Sequence, residues 1–273
     1  MFFFDKLKKN YKIFKDINKA ILKKPKFLFY SESKSYQKYI YLIIELFTKI
    51  YDDNIYYISS DKDDYIKNDK VQNIFIGDGI MRNYFFSFIN AQNIFLTVTD
   101  LDNNLIKKNK NVKNYIYYFH AAASTTKIYT STAFDNYDII LCNGEFQINE
   151  IQTREAKKKL KEKILYKTGY FYFDYLSEKL NYDNNSDEIL IAPSWNYNKK
   201  NYFNENFDLI IQEILDKGYK VRFRPHPENL KRSQSLLLNI KNKYIQRNFI
   251  FDDKPENIES MKRAKCLITD NSG

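Results

Sequence analysis

The stretch YIYYFHAAASTT, residues 115–126, is where the fold of this chain can be inferred most directly. Residues 115–119 form an apolar, aromatic run, which is typical of a buried strand. His120 follows at once, and the small and hydroxylated residues from Ala121 to Thr126 could cap a helix. Open α/β sheets bind their ligands at the carboxyl ends of parallel strands, so His120 is a candidate functional residue.

The other histidine of the chain lies in RFRPHP, residues 222–227, behind a short strand pattern from Tyr219 to Phe223. The chain contains 2 histidines in all, and each is predicted to follow a strand in a different half of the sequence. His226 stands between Pro225 and Pro227, which restrict the backbone on both sides of it. Two histidines in such positions favour an acid–base or phosphate-binding function over a purely structural one.

Predicted strands alternate with predicted helices along the chain, which indicates βαβ units, parallel sheets and an α/β fold. Residues 181–187, NYDNNSD, are polar and rich in turn formers, so they are the predicted linker. The same alternation begins again at Glu188. We therefore expect a basic amphipathic helix at residues 1–25, one domain at residues 26–180 and a second domain at residues 187–273.

Residues 1–25 combine apolar side chains at helical spacing with lysines on the other face, and they open with three phenylalanines. Two interpretations remain open: such a helix can lie on an anionic membrane surface, or it can pack against its own protein. No apolar run approaches the ~20 residues of a membrane-spanning helix, and no signal peptide is evident. The expected location is the cytoplasm, peripheral on the inner face of the cell membrane.

The composition of the chain restricts its possible binding partners but does not identify one of them. The chain carries 44 basic and 34 acidic residues, a formal net charge of +10, which suits an acidic substrate, a nucleotide or an anionic membrane. The basic residues are dispersed and no nucleic-acid-binding module is recognised, so nucleic acid is not expected as a partner. Cys142 and Cys266 lie in apolar strand patterns, which predicts two reduced core residues rather than a disulfide or a zinc site.

Asp100 and Asp102 flank one leucine after a predicted strand, and this pattern resembles the cation-binding DxD of metal-dependent sugar transferases. The chain is rich in aspartate, however, and the pattern recurs at Asp61 and Asp63. A solvated loop is the favoured interpretation. No metal ligand and no resident cofactor are assigned, and the need for a divalent metal is left open.

Several motifs together resemble those of the CDP-glycerol glycerophosphotransferase family, which polymerises teichoic acids and related capsular glycerol-phosphate polymers. The resemblance covers roughly residues 112–273. Asn271 and Gly273 replace a tyrosine and a serine of the family's pattern, which puts the donor or substrate in doubt. The matching segments are FHAAAST at 119–125, AFDNYD at 133–138, CNG at 142–144, Glu150, Gly169 with Tyr170, APSW at 192–195, RPHP at 224–227 and, in part, ITDNSG at 268–273.

This resemblance implies a GT-B-like α/β fold, in which two Rossmann-like domains with parallel sheets face a cleft. It implies transfer of glycerol phosphate from CDP-glycerol to a polymeric or lipid-linked acceptor in teichoic acid or capsule polysaccharide synthesis, with release of CMP. Residues 26–180 would form the acceptor domain and residues 187–273 the nucleotide-donor domain. The family continues past the ITDNSG motif, so the second domain is expected to be incomplete.

The chemistry assigns roles to the matching residues. An acceptor hydroxyl must attack a phosphorus atom whose oxygens already carry negative charge, so a base and nearby cations are needed. His120 would be the base, while His226, the second catalytic candidate, and Arg224 would neutralise the diphosphate. Arg222 is held in reserve for the same purpose. The remaining candidates are Ser194, Asp270 and Ser272 on the donor side and Ser124 and Thr125 on the acceptor side.

Three partners follow from this interpretation: a nucleotide-activated donor, a lipid-linked or polymeric acceptor, and an anionic membrane surface. Two alternatives stay open. A GT-B glycosyltransferase with a nucleotide-sugar donor would use nearly the same histidine, arginine and serine residues. An inactive fragment of either enzyme is the other alternative, because the family's sequence continues beyond the motif at 268–273.

Overall fold

A computed structural model describes residues 2–77, 79–103, 106–180, 186–195, 207–254 and 256–270. The chain divides into two compact units, Met1–Tyr175 and Leu176–Gly273. Each unit contains one parallel β-sheet together with helices, so the α/β class and the parallel sheets predicted from the alternating pattern are confirmed.

The first unit is built on a seven-stranded sheet. Its strands are β1 (Phe27–Ser31), β2 (Ile55–Ser59), β3 (Val71–Phe75), β4 (Ala91–Leu96), β5 (Val112–Tyr118), β6 (Ile139–Cys142) and β7 (Ile164–Lys167). They lie in the order β3-β2-β1-β4-β5-β6-β7, and all neighbouring pairs are parallel. The order reverses direction between β1 and β4, which makes this point the topological switch of the sheet.

Helices precede, connect and follow these strands and cover both faces of the sheet, and the last of them extends past Tyr175. They are α1 (Phe2–Lys23), α2 (Lys34–Ile50), α3 (Ile80–Phe88), α4 (Glu145–Lys158) and α5 (Phe171–Lys179). Tyr30 of β1 lies in the core on one face, together with Ile17 of α1. Its neighbour Phe29 lies in the core on the opposite face, together with Ile44 of α2. Because successive side chains of a strand point to opposite faces, burial on both faces requires an unbroken apolar run.

The described part of α1 packs against its own protein. Ile13 and Ile17 are core residues of the first unit. The ring of Phe14 lies 5.1 Å from that of Tyr84 in α3, and the Tyr84 hydroxyl donates to Asn18 at 3.0 Å. The interpretation of α1 as a helix packed on its own protein is therefore confirmed, and contact with a membrane stays a prediction. Within the described ranges, no helix combines the length and the apolar character needed to cross a bilayer.

The second unit has a four-stranded parallel sheet. Its strands are β8 (Glu188–Ala192), β9 (Lys220–Phe223), β10 (Phe249–Phe251) and β11 (Ala264–Thr269), in the order β10-β9-β8-β11. The described helices are α6 (Phe207–Asp216), α7 (Pro227–Arg232), α8 (Gln234–Tyr244) and α9 (Ile258–Lys262). Ile191 of β8 and Phe223 of β9 are fully buried in its core, against Ile211 of α6 and Ile240 of α8.

Helices α7 and α8 are separated at Ser233, where the chain leaves helical geometry with φ −122° and ψ 35°. One local prediction was wrong in this unit. Cys142 is buried as predicted, but Cys266 is exposed. Cys266 lies on β11, which is one of the two edge strands of the described sheet, so the apolar pattern around it does not lead to burial there.

The two-sided burial of the first sheet predicts unequal effects of the same substitution on neighbouring strands. Ile140 of β6 is 0% exposed, whereas Ile164 of β7 is 55% exposed. Ile140→Ala should lower the free energy of unfolding by about 2–5 kcal/mol, because it removes buried contacts and leaves a cavity. The control, Ile164→Ala, should change it by no more than about 0.5 kcal/mol. Urea unfolding of both variants measures the difference, and equal losses would contradict the prediction.

Candidate functional site

Polar residues follow the strands of the first sheet at their carboxyl ends. Glu32 follows β1, Thr97 follows β4, His120 lies just beyond β5 and Asn143 follows β6. Because the strands are parallel, these residues meet at one edge of the sheet. Glu32 and Thr97 flank the switch point between β1 and β4, and this is the position where open α/β sheets form a binding crevice.

A cavity of about 860 Å³ opens at this edge. This size lies within the range of small-molecule binding pockets. The ring of Tyr36 stands nearly perpendicular to that of His120, with the centroids 5.5 Å apart, and Tyr129 lies on another side at 6.4 Å. In the described part of the chain, no lysine or arginine lines the cavity. The lining residues are Glu32, Tyr36, Thr97, Val98, Thr99, Asn103, His120, Ile128 and Tyr129.

His120 is held in its neutral form by its surroundings. Burial lowers the pKa of His120 to about 4, because an imidazolium ion is poorly solvated there. Its Nδ1 atom is buried and has no hydrogen-bond partner among the described residues. A neutral imidazole can accept a proton, so His120 has the protonation state that a general base needs.

The loop after His120 is fixed by side chains rather than by a helix. Tyr170 donates its hydroxyl to the His120 carbonyl at 2.8 Å. Asn143 donates to the Ala121 carbonyl at 3.0 Å, and Gln147 donates to the Ala123 carbonyl at 2.9 Å. The helix start expected at residues 121–126 was therefore wrong: residues 125–128 form a turn, and the next helix is α4. These carbonyls accept bonds from distant side chains instead of from a following helical turn.

Ser124 and Thr125 complete the anchoring of this loop. The Ser124 hydroxyl donates to one carboxylate oxygen of Glu150 at 2.7 Å. The Thr125 backbone N–H and hydroxyl donate to the other oxygen, at 2.5 and 2.6 Å. Burial alone would raise the pKa of Glu150, but the hydrogen bonds from Thr125 and Ser124 outweigh it and lower the pKa. Both hydroxyls thus bind Glu150, and their contact with an acceptor stays a prediction.

The two aspartates of the DxD pattern stabilise the neighbouring loop. Asp100 is buried, and its carboxylate accepts hydrogen bonds from the hydroxyls of Thr130 and Thr132. Asp102 accepts the backbone N–H of Lys108 at 3.1 Å. Across the described ranges, no group of histidine, cysteine, aspartate and glutamate residues is arranged to hold a metal ion.

The donor-side candidates of the second unit also lie at strand ends. The Asp270 carboxylate, after β11, accepts the backbone N–H of Ser194 at 2.8 Å and the Ser194 hydroxyl as well. Asn229 of α7, a fully buried residue that belongs to none of the sequence motifs, donates to the Ser194 carbonyl at 3.2 Å. The structure thus brings Ser194 and Asp270 together, whereas Ser272 lies outside the described residues.

His226 caps the amino end of helix α7. Its Nδ1 accepts the backbone N–H of Glu228 at 3.1 Å, and Pro227 occupies the first helical position. In the neutral ring this bond places the proton on Nε2, which can then donate to a ligand. Burial lowers the pKa of His226, and the nearby Glu228 opposes part of that shift.

Arg222 and Arg224 have different surroundings. Arg222 is buried between two carboxylates, with Nε 2.7 Å from Glu188 and an η nitrogen 3.5 Å from Asp252. The prediction that Arg222 could also neutralise the diphosphate is therefore wrong, because its charge is already paired inside the protein. Arg224 lies at the end of the strand, with an η nitrogen 3.2 Å from Asp252 and another donating to the Lys254 carbonyl at 2.7 Å.

No protein-family model matches the chain, and no curated protein does either. Solved structures are similar in fold. A structure of the wall teichoic acid polymerase TagF is 19% identical over 90% of this chain and 66% of that chain, with a TM-score of 0.57. A TagF variant soaked with CDPG is 17% identical over 98% of this chain and 74% of that chain, with a TM-score of 0.55.

A Listeria monocytogenes protein assigned as a UDP-N-acetylglucosamine 2-epimerase is 9% identical over 91% of this chain and 74% of that chain, with a TM-score of 0.50. The chain spans about two thirds of the first TagF structure. These likenesses concern the fold, since the sequence identities are low. The chain has the GT-B-like α/β fold of two Rossmann-like units, and the resemblance inferred from its motifs is confirmed by structural similarity to TagF.

Proposed function

We propose that this chain transfers glycerol phosphate from CDP-glycerol to a hydroxyl of a polymeric or lipid-linked acceptor and releases CMP. The process would be teichoic acid or capsule polysaccharide synthesis. One observation carries the proposal: a neutral histidine and an Arg-Pro-His-Pro segment lie at the carboxyl ends of two parallel sheets. They do so in a fold similar to that of a wall teichoic acid polymerase.

His120 is proposed as the general base. The acceptor hydroxyl would enter the cavity and give its proton to the His120 ring while its oxygen attacks the phosphorus that carries glycerol. The new O–P bond forms as the bond to the CMP oxygen breaks, so CMP leaves with the electron pair. The negative charge of a phosphate near the ring favours the imidazolium form and so raises the pKa of His120 from its low value. This rise would make proton transfer more favourable when both substrates are bound.

Arg224 and His226 are proposed to bind the diphosphate. The guanidinium of Arg224 supplies positive charge, and Nε2–H of His226 supplies a directed donor. Ser194 and Asp270 are hydrogen-bonded to each other at the ends of the neighbouring strands β8 and β11. Ser272 is proposed to contact a donor phosphate together with them. Ser124 and Thr125 are proposed to face the acceptor from the loop that Glu150 anchors. The chain would need no resident cofactor. The central claim of the proposal is that CDP-glycerol is the donor.

Calorimetric titration tests the donor. If CDP-glycerol is the donor, it should bind at least about tenfold more tightly than UDP-N-acetylglucosamine, a difference of about 1.4 kcal/mol. Arg224→Ala should weaken binding by a similar factor, since it removes a cation that meets the diphosphate. The control is Arg247→Ala, which removes a surface arginine paired with Asp216 in the same unit. Tighter binding of the UDP-sugar would instead favour a nucleotide-sugar glycosyltransferase.

The two histidines should differ in their kinetic effects. His120→Ala should leave donor affinity nearly unchanged while turnover falls by ~10²–10⁴, the usual contribution of a general base. His226→Ala should weaken donor binding as well as turnover, because its partner is already present in the ground state. Steady-state kinetics and donor titrations of both variants, with thermal unfolding as a check on folding, measure the difference. Equal patterns in the two variants, or full turnover in His120→Ala, would show that the roles are wrong.

A cytoplasmic location at the inner membrane face is part of the proposal. Lys12 and Lys15 are exposed on α1 beside the exposed aromatic residue Tyr11. Replacing both lysines by glutamate should weaken binding to vesicles that contain phosphatidylglycerol, because each lysine near such a surface contributes about 1 kcal/mol. The control makes the same charge change at Lys157 and Lys158, exposed on α4. Equal vesicle partition of the two double variants in a sedimentation assay would refute a specific role of α1.

A further inference from the structure

Five charged residues of alternating sign form a row across the second sheet, and we call them the charge row: Lys220, Glu188, Arg222, Asp252 and Arg224. Lys220 lies 2.9 Å from one oxygen of Glu188, and Arg222 lies 2.7 Å from the other. Arg222 then contacts Asp252, which contacts Arg224. The three central side chains are at most 8% exposed. Charges at that depth must be paired, and such pairs rarely stabilise a fold more than apolar residues would.

Asp252 is the most restrained member of the charge row. One of its oxygens lies 3.2 Å from an η nitrogen of Arg224 and also accepts the backbone N–H of Lys254 at 3.2 Å. The other oxygen lies 3.5 Å from Arg222 and accepts the hydroxyl of Ser260, a fully buried residue of α9. Both oxygens therefore have fixed partners on separate elements. The carboxylate cannot rotate without breaking several of these contacts.

Arg224 ends the charge row at the carboxyl edge of the sheet. Its side chain is 16% exposed, against 8% for Arg222. Its backbone N–H donates to Ile191 at 2.8 Å, and its guanidinium donates to the Lys254 carbonyl at 2.7 Å. The row contains three cations and two carboxylates, so one net positive charge remains. Lys220 is 32% exposed at the amino end of β9, whereas Arg224 is the cation at the carboxyl edge of the sheet, where parallel sheets bind their ligands.

We propose that Asp252 is a positioning residue, which fixes the guanidinium of Arg224 for binding the diphosphate of a nucleotide. The proposal rests on the function proposed above, in which Arg224 meets the donor. An arginine side chain that is ordered before binding loses less conformational freedom when the anion arrives. Asp252 thus improves anion affinity although it is itself negative, because it holds one cation in place and shares its charge with a second, buried arginine.

The test compares two buried carboxylates of the charge row. Asp252→Asn removes the carboxylate that contacts Arg224, whereas the control, Glu188→Gln, removes one whose ion pairs within the described residues are with Arg222 and Lys220. Calorimetric titration with inorganic pyrophosphate and with CDP should show binding weakened about tenfold or more in Asp252→Asn and in Arg224→Ala. It should show a change of less than about twofold in Glu188→Gln. The double variant Asp252→Asn/Arg224→Ala should bind no more weakly than Arg224→Ala alone.

Equal weakening in Asp252→Asn and Glu188→Gln would overturn the proposal, because it would indicate general damage to the charge row. Additive losses in the double variant, or no binding of pyrophosphate by the unchanged chain, would overturn it too. If Asp252→Asn does not fold, Ser260→Ala takes its place, since it removes one restraint on Asp252. Ser260→Ala should weaken pyrophosphate binding measurably and add nothing to Arg224→Ala, and unchanged affinity would overturn the proposal.

The same titrations separate this proposal from the proposed function. If the chain binds pyrophosphate with the expected pattern but does not prefer CDP-glycerol to UDP-N-acetylglucosamine, the role of Asp252 is supported and the assigned donor is refuted. If the chain prefers CDP-glycerol but the losses from Asp252→Asn and Arg224→Ala are additive, the donor is supported and the role of Asp252 is refuted.

Discussion

Burial on both faces of the seven-stranded parallel sheet is the constraint on which the first unit and its cavity depend. In the first unit, Tyr30 and Phe29 are adjacent in sequence and lie in cores on opposite faces. A strand that is buried on both faces presents neither face to solvent, so polar side chains are found mainly at its ends. All strands of a parallel sheet end at one edge, which gathers these polar groups in one place. The cavity at the β1–β4 switch point is the consequence in the first unit.

The loop that carries His120 shows how such an edge is stabilised. A helix would satisfy its own backbone groups, but this loop has to satisfy them with side chains from elsewhere. Tyr170, Asn143 and Gln147 donate to three of its carbonyls, and Glu150 accepts a backbone N–H. A hydrogen bond to a charged group such as Glu150 contributes about 1.5–3 kcal/mol. The loop is therefore rigid enough to keep the buried ring of His120 in one position beside the cavity.

The sequence predicted the parts of the structure that depend on local pattern. Strand β5 was identified because residues 115–119 form an unbroken apolar run, and His120 was singled out because it directly follows that run. The pairing of Asp252 with Arg224 could not be predicted, because it joins residues from different strand ends. Asp252 and Asp253 are identical neighbours, yet one is buried and the other exposed. Cys266 was misplaced for a related reason, since an apolar pattern does not distinguish an edge strand from a central one.

The two histidines show how one residue type can serve two chemical roles. Burial lowers the pKa of both, so both rings are neutral under ordinary conditions. In His226 a backbone N–H occupies Nδ1, which fixes the proton on Nε2 and makes the ring a hydrogen-bond donor. His120 has no such bond among the described residues, so its ring remains able to take up a proton. The cavity beside His120 has no lysine or arginine in its described lining, whereas His226 shares its segment with Arg224. A donor ring near a cation suits an anion, and an acceptor ring in a cavity without cations suits a neutral hydroxyl.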